Sequence, residues 1–381
     1  MKYNEIGKTG LKVSEIGFGA EWIEGKKYSQ TEQLVKHCEE NGINLLDCWM
    51  SNPRVRSNLG KAIHKNREKW IIQGHIGSTW QENQYVKSRE LDKVIPAFED
   101  LLERLQTEYI EFGMIHYVDE TDDYNQIING EFYKYVKKLK KDKTIHHIGL
   151  STHNPEVALK AAENEEIELI LFSLNPAFDM MPPVLLDDYF DNEKYDEKLS
   201  GIQTIRTKLY QLCEETDTAI TIMKGFAGGR LLNKKDSPFE IAMTPLQCIH
   251  YALTRPSAKS ILVGVNNIEE LEEALKYETA TEEEKDYSKI LTQAPKHSYL
   301  GKCTYCGHCA PCPVEINVAM LNKLYDLATA QEKVPESIKE HYNNLKAHAS
   351  NCTECGGCEE RCPFEVRVIK IMHKAKVIFG K

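Results

Sequence analysis

The chain has 381 residues, of which 41% are hydrophobic and 28% charged, and its formal net charge is −10. That length accommodates one large α/β domain plus a small appendage, and the composition is that of a soluble globular protein. The longest apolar runs, such as IELILFSL from Ile167, fall far short of the roughly 20 residues needed to cross a bilayer, and the acidic balance excludes a protein that grips nucleic acid by neutralising phosphates. Small molecules and proteins remain as partners.

The first residues, MKYNEIGKTGLKV, show neither an apolar h-region nor an Arg-rich amphipathic pattern, so no export or transit signal is expected and the cytoplasm is the expected location. Eight short β-rich runs follow: KVSEIGFG (12–19), INLLD (43–47), KWIIQGH (69–75), YIEFGMIH (109–116), IHHIGLS (145–151), IELILFS (167–173), AITIMK (219–224) and KSILVG (259–264). Helical patterns fill the gaps. QTEQLVKHCEENG carries apolar residues at helical spacing and stops on Gly42, and VIPAFEDLLERLQ and EFYKYVKKLKKDK behave likewise, their charge runs reading as solvated faces. Eight βα units predict a closed (β/α)8 barrel rather than an open sheet. After the sixth strand the connection over 176–203 is long and acidic, which suits a lid or a substrate wall.

From Glu269 a charge-dense stretch predicts the last barrel helix and a linking helix; Pro295 and Gly301 then break any helix, placing a boundary between a barrel over 1–294 and a second domain over 295–381. Of the twelve cysteines, Cys38, Cys48, Cys213 and Cys248 stand singly among apolar or helical neighbours and are expected to be buried and inert. The other eight are clustered. Cys352, Cys355, Cys358 and Cys362, followed by Pro363, have the C-x2-C-x2-C-x3-C-P spacing of a bacterial 4Fe-4S ferredoxin. Cys303, Cys306, Cys309 and Cys312, followed by Pro313, repeat the plan with a last gap of two residues. In such two-cluster modules the fourth cysteine of each motif ligates the other cluster. Cys303, Cys306, Cys309 and Cys362 are therefore expected to hold one cubane, and Cys352, Cys355, Cys358 and Cys312 the other. Structural zinc does not call for three C-x2 steps and Cys-Pro twice over, and disulfides are disfavoured in a reducing compartment. VAMLNKLYDLATAQ (318–331) and SIKEHYNNLKAH (337–348) predict two helices between the motifs, giving a helical two-cluster module.

Active sites of (β/α)8 barrels sit at the C-terminal ends of the strands. Here those ends carry Asp47, His75, His116, Ser151, Ser173 with Asn175, Lys224 and Gly264. The segments GLKVSEIGFG, NLLD, GMIHYVD, IGLSTHNP, KGFAGGRLL and ILVGVNNIEELEEAL, spread over roughly residues 3–280, together resemble the aldo-keto reductase family. The resemblance implies a (β/α)8 barrel that binds NAD(P)H at its mouth and reduces carbonyls, and some proteins of this kind carry a ferredoxin domain. It also implies a catalytic set of Asp, Tyr, Lys and His. Asp47 and His116 match, but Asn52 stands where the tyrosine is expected and His75 where the lysine is expected.

With the proton donor missing, the acid falls to His116 or His75, with Asp47 fixing the tautomer, and Tyr117 is a further candidate. For the cofactor, the resemblance assigns Ser151 to the carboxamide, the Gly228-Gly229 turn to the pyrophosphate, Gly264 to a phosphate loop and Glu273 to the adenine, with Lys224 able to meet a phosphate or the substrate. Thr152 and Ala274 depart from the pattern, as does the sixth strand, which lacks the expected glutamine. Nothing basic in GVNNIEELEEAL would pair with a 2′-phosphate, so NADH is favoured over NADPH. A flavin commonly joins hydride to one-electron chemistry; no flavin fingerprint is present, although barrels bind FMN without one.

Three readings follow. In the first, an oxidoreductase acts on a small carbonyl or hydroxy compound while the clusters carry electrons or brace the barrel rim. In the second, the barrel has lost hydride chemistry and performs cluster-driven reduction or a lyase-type step with Asp47, His75 and His116. The third is a non-catalytic electron-transfer module that docks a ferredoxin-type or flavoprotein partner.

Overall fold

The computed structural model describes residues 1–330 and 333–381. Its strands are β1 (Tyr3–Glu5), β2 (Lys12–Ser14), β3 (Ile16–Gly19), β4 (Leu45–Cys48), β5 (Ile71–Ile76), β6 (Ser78–Gln81), β7 (Gln84–Lys87), β8 (Ile110–Ile115), β9 (Ile145–Thr152), β10 (Leu169–Ser173), β11 (Ala219–Met223) and β12 (Ala258–Gly264). Eight of them close a barrel in the order β3-β4-β5-β8-β9-β10-β11-β12, and every adjacent pair is parallel. The eight predicted runs supply these eight strands. The first run is divided: Lys12–Ser14 turns away to pair antiparallel with Tyr3–Glu5, and only Ile16–Gly19 enters the barrel. At the break the Ser14 hydroxyl donates to the Ile16 carbonyl at 2.6 Å.

Because side chains alternate along a strand, every second residue points inward. Leu45, Ile71, Phe112, Leu169, Leu171 and Leu262 form an apolar plug that Ile6 and Val13 of the N-terminal hairpin seal from below. Two residues beyond Leu45 on β4 the inward position becomes Asp47, two and four residues beyond Ile71 on β5 the inward positions become Gln73 and His75, and His116 follows directly on β8. The apolar floor thus ends where the polar mouth begins.

The helices around the barrel are α1 (Tyr28–Glu40), α2 (Pro53–Ile63), α3 (Leu91–Leu105), α4 (Thr121–Asn129), α5 (Glu131–Lys141), α6 (Pro155–Ala162), α7 (Pro176–Asp179), α8 (Thr204–Glu215), α9 (Pro245–Leu253) and α10 (Ile268–Leu275). Their sequences explain their faces: α3 buries Val94, Phe98, Leu101 and Leu105, a stripe three or four residues apart. Gly60 lets α2 approach the end of α3 closely, since a Cβ there would lie 1.9 Å from the Arg104 carbonyl oxygen. The four solitary cysteines are buried, and burial pushes the Cys48 thiol up to about 12, as expected of inert core thiols.

Two short helices, α11 (Glu282–Lys285) and α12 (Ser288–Gln293), lead to a helical C-terminal region built from α13 (Val318–Thr329), α14 (Glu336–Asn343), α15 (Gly357–Glu360) and α16 (Val368–Phe379). The helix predicted over 318–331 matches α13, and its last residue, Gln331, lies outside the described residues. This region packs along the flank of the barrel and also reaches the connection after β10, where His297 Nδ1 lies 3.0 Å from the Leu199 carbonyl oxygen. Lys323 Nζ pairs with Glu214 at 2.7 Å and His341 Nε2 with Glu215 at 3.2 Å, both acids in the last turn of α8 and hence at the end of the barrel opposite the mouth. Arg255, just after α9, donates from Nη1 to the Thr304 carbonyl at 2.7 Å, and the Tyr299 hydroxyl donates to the Pro176 carbonyl at 2.6 Å. Beneath this seam Asp179, fully buried, accepts from the hydroxyls of Tyr210 (2.5 Å) and Tyr251 (2.8 Å) and pairs with the buried Arg206 at 3.4 Å.

Candidate functional site

Asp47, His75 and His116 are brought together at the C-terminal ends of β4, β5 and β8, with relative exposures of 3%, 2% and 5%. They form one hydrogen-bonded chain: His75 Nε2 lies 3.0 Å from Asp47 Oδ1, and His75 Nδ1 lies 2.8 Å from His116 Nδ1. Gln73 adds a second bond to the same carboxylate oxygen, donating from Nε2 at 3.1 Å. The Trp49 ring lies parallel to His116 with centroids 5.9 Å apart. Burial above all, then the neighbouring His75 and the cations Arg89 and Lys87, hold the His116 pKa well below the ordinary imidazole value, so this ring is neutral at physiological pH.

The chain does not stop at His116. Its Nε2 is bonded to the hydroxyl of Tyr85 at 2.7 Å, so both ring nitrogens of His116 are engaged. Tyr85 stands on a hairpin of β6 and β7 that follows the third barrel strand, with Trp80 opposite Tyr85 in the register. The two turn residues, Glu82 and Asn83, have φ of 50° and 63°, the left-handed pair of a two-residue hairpin turn. Burial and the nearby Tyr117 push the Tyr85 phenol up to about 12, against a smaller opposing effect of Arg89. Tyr85, Gln73 and Trp49 were not among the residues expected from sequence. The available signal for Tyr85 was the alternation around Glu82-Asn83 in STWQENQYVK.

The substituted family position is also explained. Asn52 caps α2, its Oδ1 accepting from the Arg54 N–H at 2.9 Å while its Nδ2 donates to Glu24 at 3.0 Å. Tyr117 follows His116 with φ of 48°, a costly conformation for a residue with a side chain, and its N–H donates to the Ser151 hydroxyl at 2.8 Å.

The remaining candidates lie on the opposite side of the ring, at β11 and β12, and are not drawn into this chain. Lys224 Nζ is 3.5 Å from Glu21, and its carbonyl accepts from Asn175 Nδ2 at 2.9 Å. Asn175 in turn caps α7 by accepting from the Phe178 N–H at 2.9 Å. Gly228 and Gly229 have φ of 64° and 90°, a turn whose backbone a phosphate could approach. Gly264 is covered by Trp22, whose ring would lie 2.7 Å from a Cβ there. Glu273 is exposed and pairs with Lys276 on the outer surface of α10.

In the C-terminal region the cysteines separate into two cavities. Cys303, Cys306, Cys309 and Cys362 line one with about 310 Å³ of space, and Cys312, Cys352, Cys355 and Cys358 line another with about 370 Å³, each partly open to solvent. These are the crossed sets. His308 Nδ1 lies 3.1 Å from the Cys306 sulfur, and the Glu354 N–H donates to the Cys352 sulfur at 3.4 Å, the kind of contact that stabilises thiolates around a cluster. Among the described residues no three His, Cys, Asp or Glu side chains converge closely enough to hold a single metal ion.

Residues 15–245 match the model of the aldo/keto reductase family, and residues 299–366 match a 4Fe-4S dicluster domain. The chain belongs to the aldo/keto reductase family. It is 25% identical over 299 residues to the uncharacterized oxidoreductase YqkF of Bacillus subtilis (strain 168), an alignment covering 74% of this chain and 94% of that protein. A shorter match, 28% identical over 128 residues, relates it to aldo-keto reductase YhdN of the same organism, covering 31% of this chain and 39% of that one. Among solved structures, the holo form of aldo-keto reductase AKR11C1 from Bacillus halodurans shares the fold, with a TM-score of 0.58 at 20% identity over 75% of this chain and 94% of that one. The protein is therefore an oxidoreductase of aldo-keto reductase type fused to a 4Fe-4S domain, and no helix among the described residues is long and apolar enough to cross a membrane.

Proposed function

We propose that the barrel, residues 1–294, oxidises or reduces a small carbonyl or hydroxy compound at its mouth, with NADH as the hydride carrier. In the same proposal residues 295–381 carry two 4Fe-4S clusters that exchange electrons with a protein partner. The observation behind this reading is the buried chain of Asp47, His75 and His116, a set of titratable groups joined at 2.8–3.0 Å where such barrels do chemistry. Ser151, the Gly228-Gly229 turn, Gly264 and Glu273 would meet the nicotinamide, and Lys224 a phosphate or the substrate.

The cysteine sets 303/306/309/362 and 312/352/355/358 supply the four thiolates that each cubane requires. When bound, each cluster stores and passes one electron. The protein's own part is to hold the sulfurs, to donate hydrogen bonds to them, and to offer a route in. Cys355 is exposed. Val368 and Met372 of the adjoining α16 line the same cavity, while Arg367, Lys370, Lys374, Lys376 and Lys381 are exposed on a stretch, 366–381, that contains no Asp or Glu. This face suits a small acidic electron carrier.

A second reading is favoured by the contacts already made by the candidate cofactor residues. Trp22 covers Gly264, Lys224 pairs with Glu21, and the Ser151 hydroxyl is engaged by Tyr117. On that reading the barrel does cluster-driven or acid/base chemistry without nicotinamide. Anaerobically purified protein, characterised by iron count and optical spectrum and then titrated with NADH, decides between them. Stoichiometric NADH binding supports the first reading. Iron-loaded protein that ignores NADH removes it.

A further inference from the structure

We propose that Tyr85 is the group through which the barrel exchanges protons with its substrate, and that the chain behind it stores one proton on His75 against the Asp47 carboxylate. The inference rests on the carbonyl or hydroxy reading given above and names the residue that would touch the substrate oxygen. Of the four members of the chain, Asp47, His75 and His116 are buried, and both nitrogens of His116 are taken. Tyr85 is half-buried on its hairpin and is the one member of the chain that is not buried. Tyr117, the other phenol nearby, stands edge-on to His153 with ring centroids 5.4 Å apart, and among the described residues its hydroxyl has no histidine chain behind it.

Donor and acceptor capacity fixes two arrangements that satisfy every bond. A carboxylate only accepts, so His75 presents Nε2–H to Asp47 in both. If His75 is neutral, its Nδ1 is an acceptor; His116 must then donate Nδ1–H to it, leaving His116 Nε2 to accept from the Tyr85 hydroxyl. If His75 carries a second proton, on Nδ1, that N–H donates to His116 Nδ1. His116 then holds its proton on Nε2 and donates to the Tyr85 oxygen, and the Tyr85 O–H turns outward. The two arrangements differ by one proton, and His116 is neutral in each.

Proton delivery converts the second arrangement into the first. As the substrate carbonyl carbon takes a hydride from a donor of dihydronicotinamide class, one C–H bond breaking on the donor and one forming on the substrate, the carbonyl oxygen becomes an alkoxide; the Tyr85 O–H bond breaks and an O–H bond forms on the substrate. The His116 Nε2 proton moves to the Tyr85 oxygen, and the His75 Nδ1 proton moves to His116 Nδ1. Oxidation of a hydroxyl runs the same steps backwards, with Tyr85 oxygen receiving the proton. Asp47 keeps its charge throughout and balances the imidazolium, which a buried site requires. The groups facing His116 are His75, Lys87 and Arg89 of the hairpin and the segment after it, and His153 beyond β9. The added cations disfavour charge on His116, as a relay needs.

Histidine tautomers followed by ¹⁵N NMR across pH test this without reference to turnover. As the chain gives up its one stored proton with rising pH, His116 is expected to remain neutral while its own proton switches from Nε2 to Nδ1, and in Asp47→Asn that switch is expected to be absent. A His116 tautomer that never changes, or a His116 that takes up the proton itself, overturns the relay. With 4-nitrobenzaldehyde and NADH as probes, Tyr85→Phe should lower kcat by about 10²–10⁴-fold, the usual contribution of a general acid, with NADH affinity unchanged. Retained turnover in that variant overturns the role of Tyr85. A tautomer switch in wild-type protein that neither binds NADH nor reduces the aldehyde establishes the relay and refutes the carbonyl reading instead.

Discussion

Single residues on this barrel are held by networks whose failure has a readable size. Asp179 is the common acceptor for Tyr210, Tyr251 and Arg206, and all three partners are buried. Asp179→Ala leaves the Arg206 guanidinium without its counter-charge, which should cost about 3–5 kcal/mol, seen as a lower midpoint in denaturant at unchanged slope. Glu168 gives a pH-dependent counterpart. Burial alone would raise its pKa, but bonds from His147 at 3.0 Å and Lys140 at 2.6 Å outweigh that and bring it from the ordinary 4.5 to about 2. A carboxylate whose pKa falls on folding adds stability above its unfolded value, and that stability drains away as pH falls through the folded one. The stability gap between wild type and Glu168→Gln should therefore be full above pH 4.5 and close between about 4.5 and 2, which acid unfolding of the two proteins will show.

Whole elements were the most legible part of the sequence, because alternation and helical spacing report directly which face is buried. All eight barrel strands could be read that way, and the cysteine motifs from their ligand spacing. The hairpin of β6 and β7 was not: its strands are four residues each, too short to stand out from a connecting loop, and its function depends on a contact with His116 that lies 31 residues away in the chain. Asp47, His75 and His116 could be chosen because they end strands, whereas Asn52 was legible only as an absence of tyrosine and not as the cap of α2. For the cysteine segments the expectation is specific. Cys355→Ser should lose about half of the iron, since its cavity and that of Cys303 are lined by separate sets. Unchanged iron on anaerobic analysis would show that Cys355 is no ligand.

At the scale of the molecule, the −10 formal charge hides an uneven distribution: every charged side chain of α16 is a cation, exposed on the same module as the exposed Cys355. Association with an acidic ferredoxin used as probe should be fast at low ionic strength and slow as salt is added, because rim charges govern encounter rates. Lys370→Glu combined with Lys374→Glu should flatten that dependence in stopped-flow measurements. Wild-type association that is indifferent to salt would locate the partner elsewhere. The ion pairs to the last turn of α8 carry a kinetic consequence. A protein seated on the cysteine-bearing side and a metabolite inside the β-cylinder would occupy separate space, so neither need leave before the other arrives. Initial-rate plots at several concentrations of both would then intersect instead of running parallel, the pattern of a ternary complex and not of alternating visits.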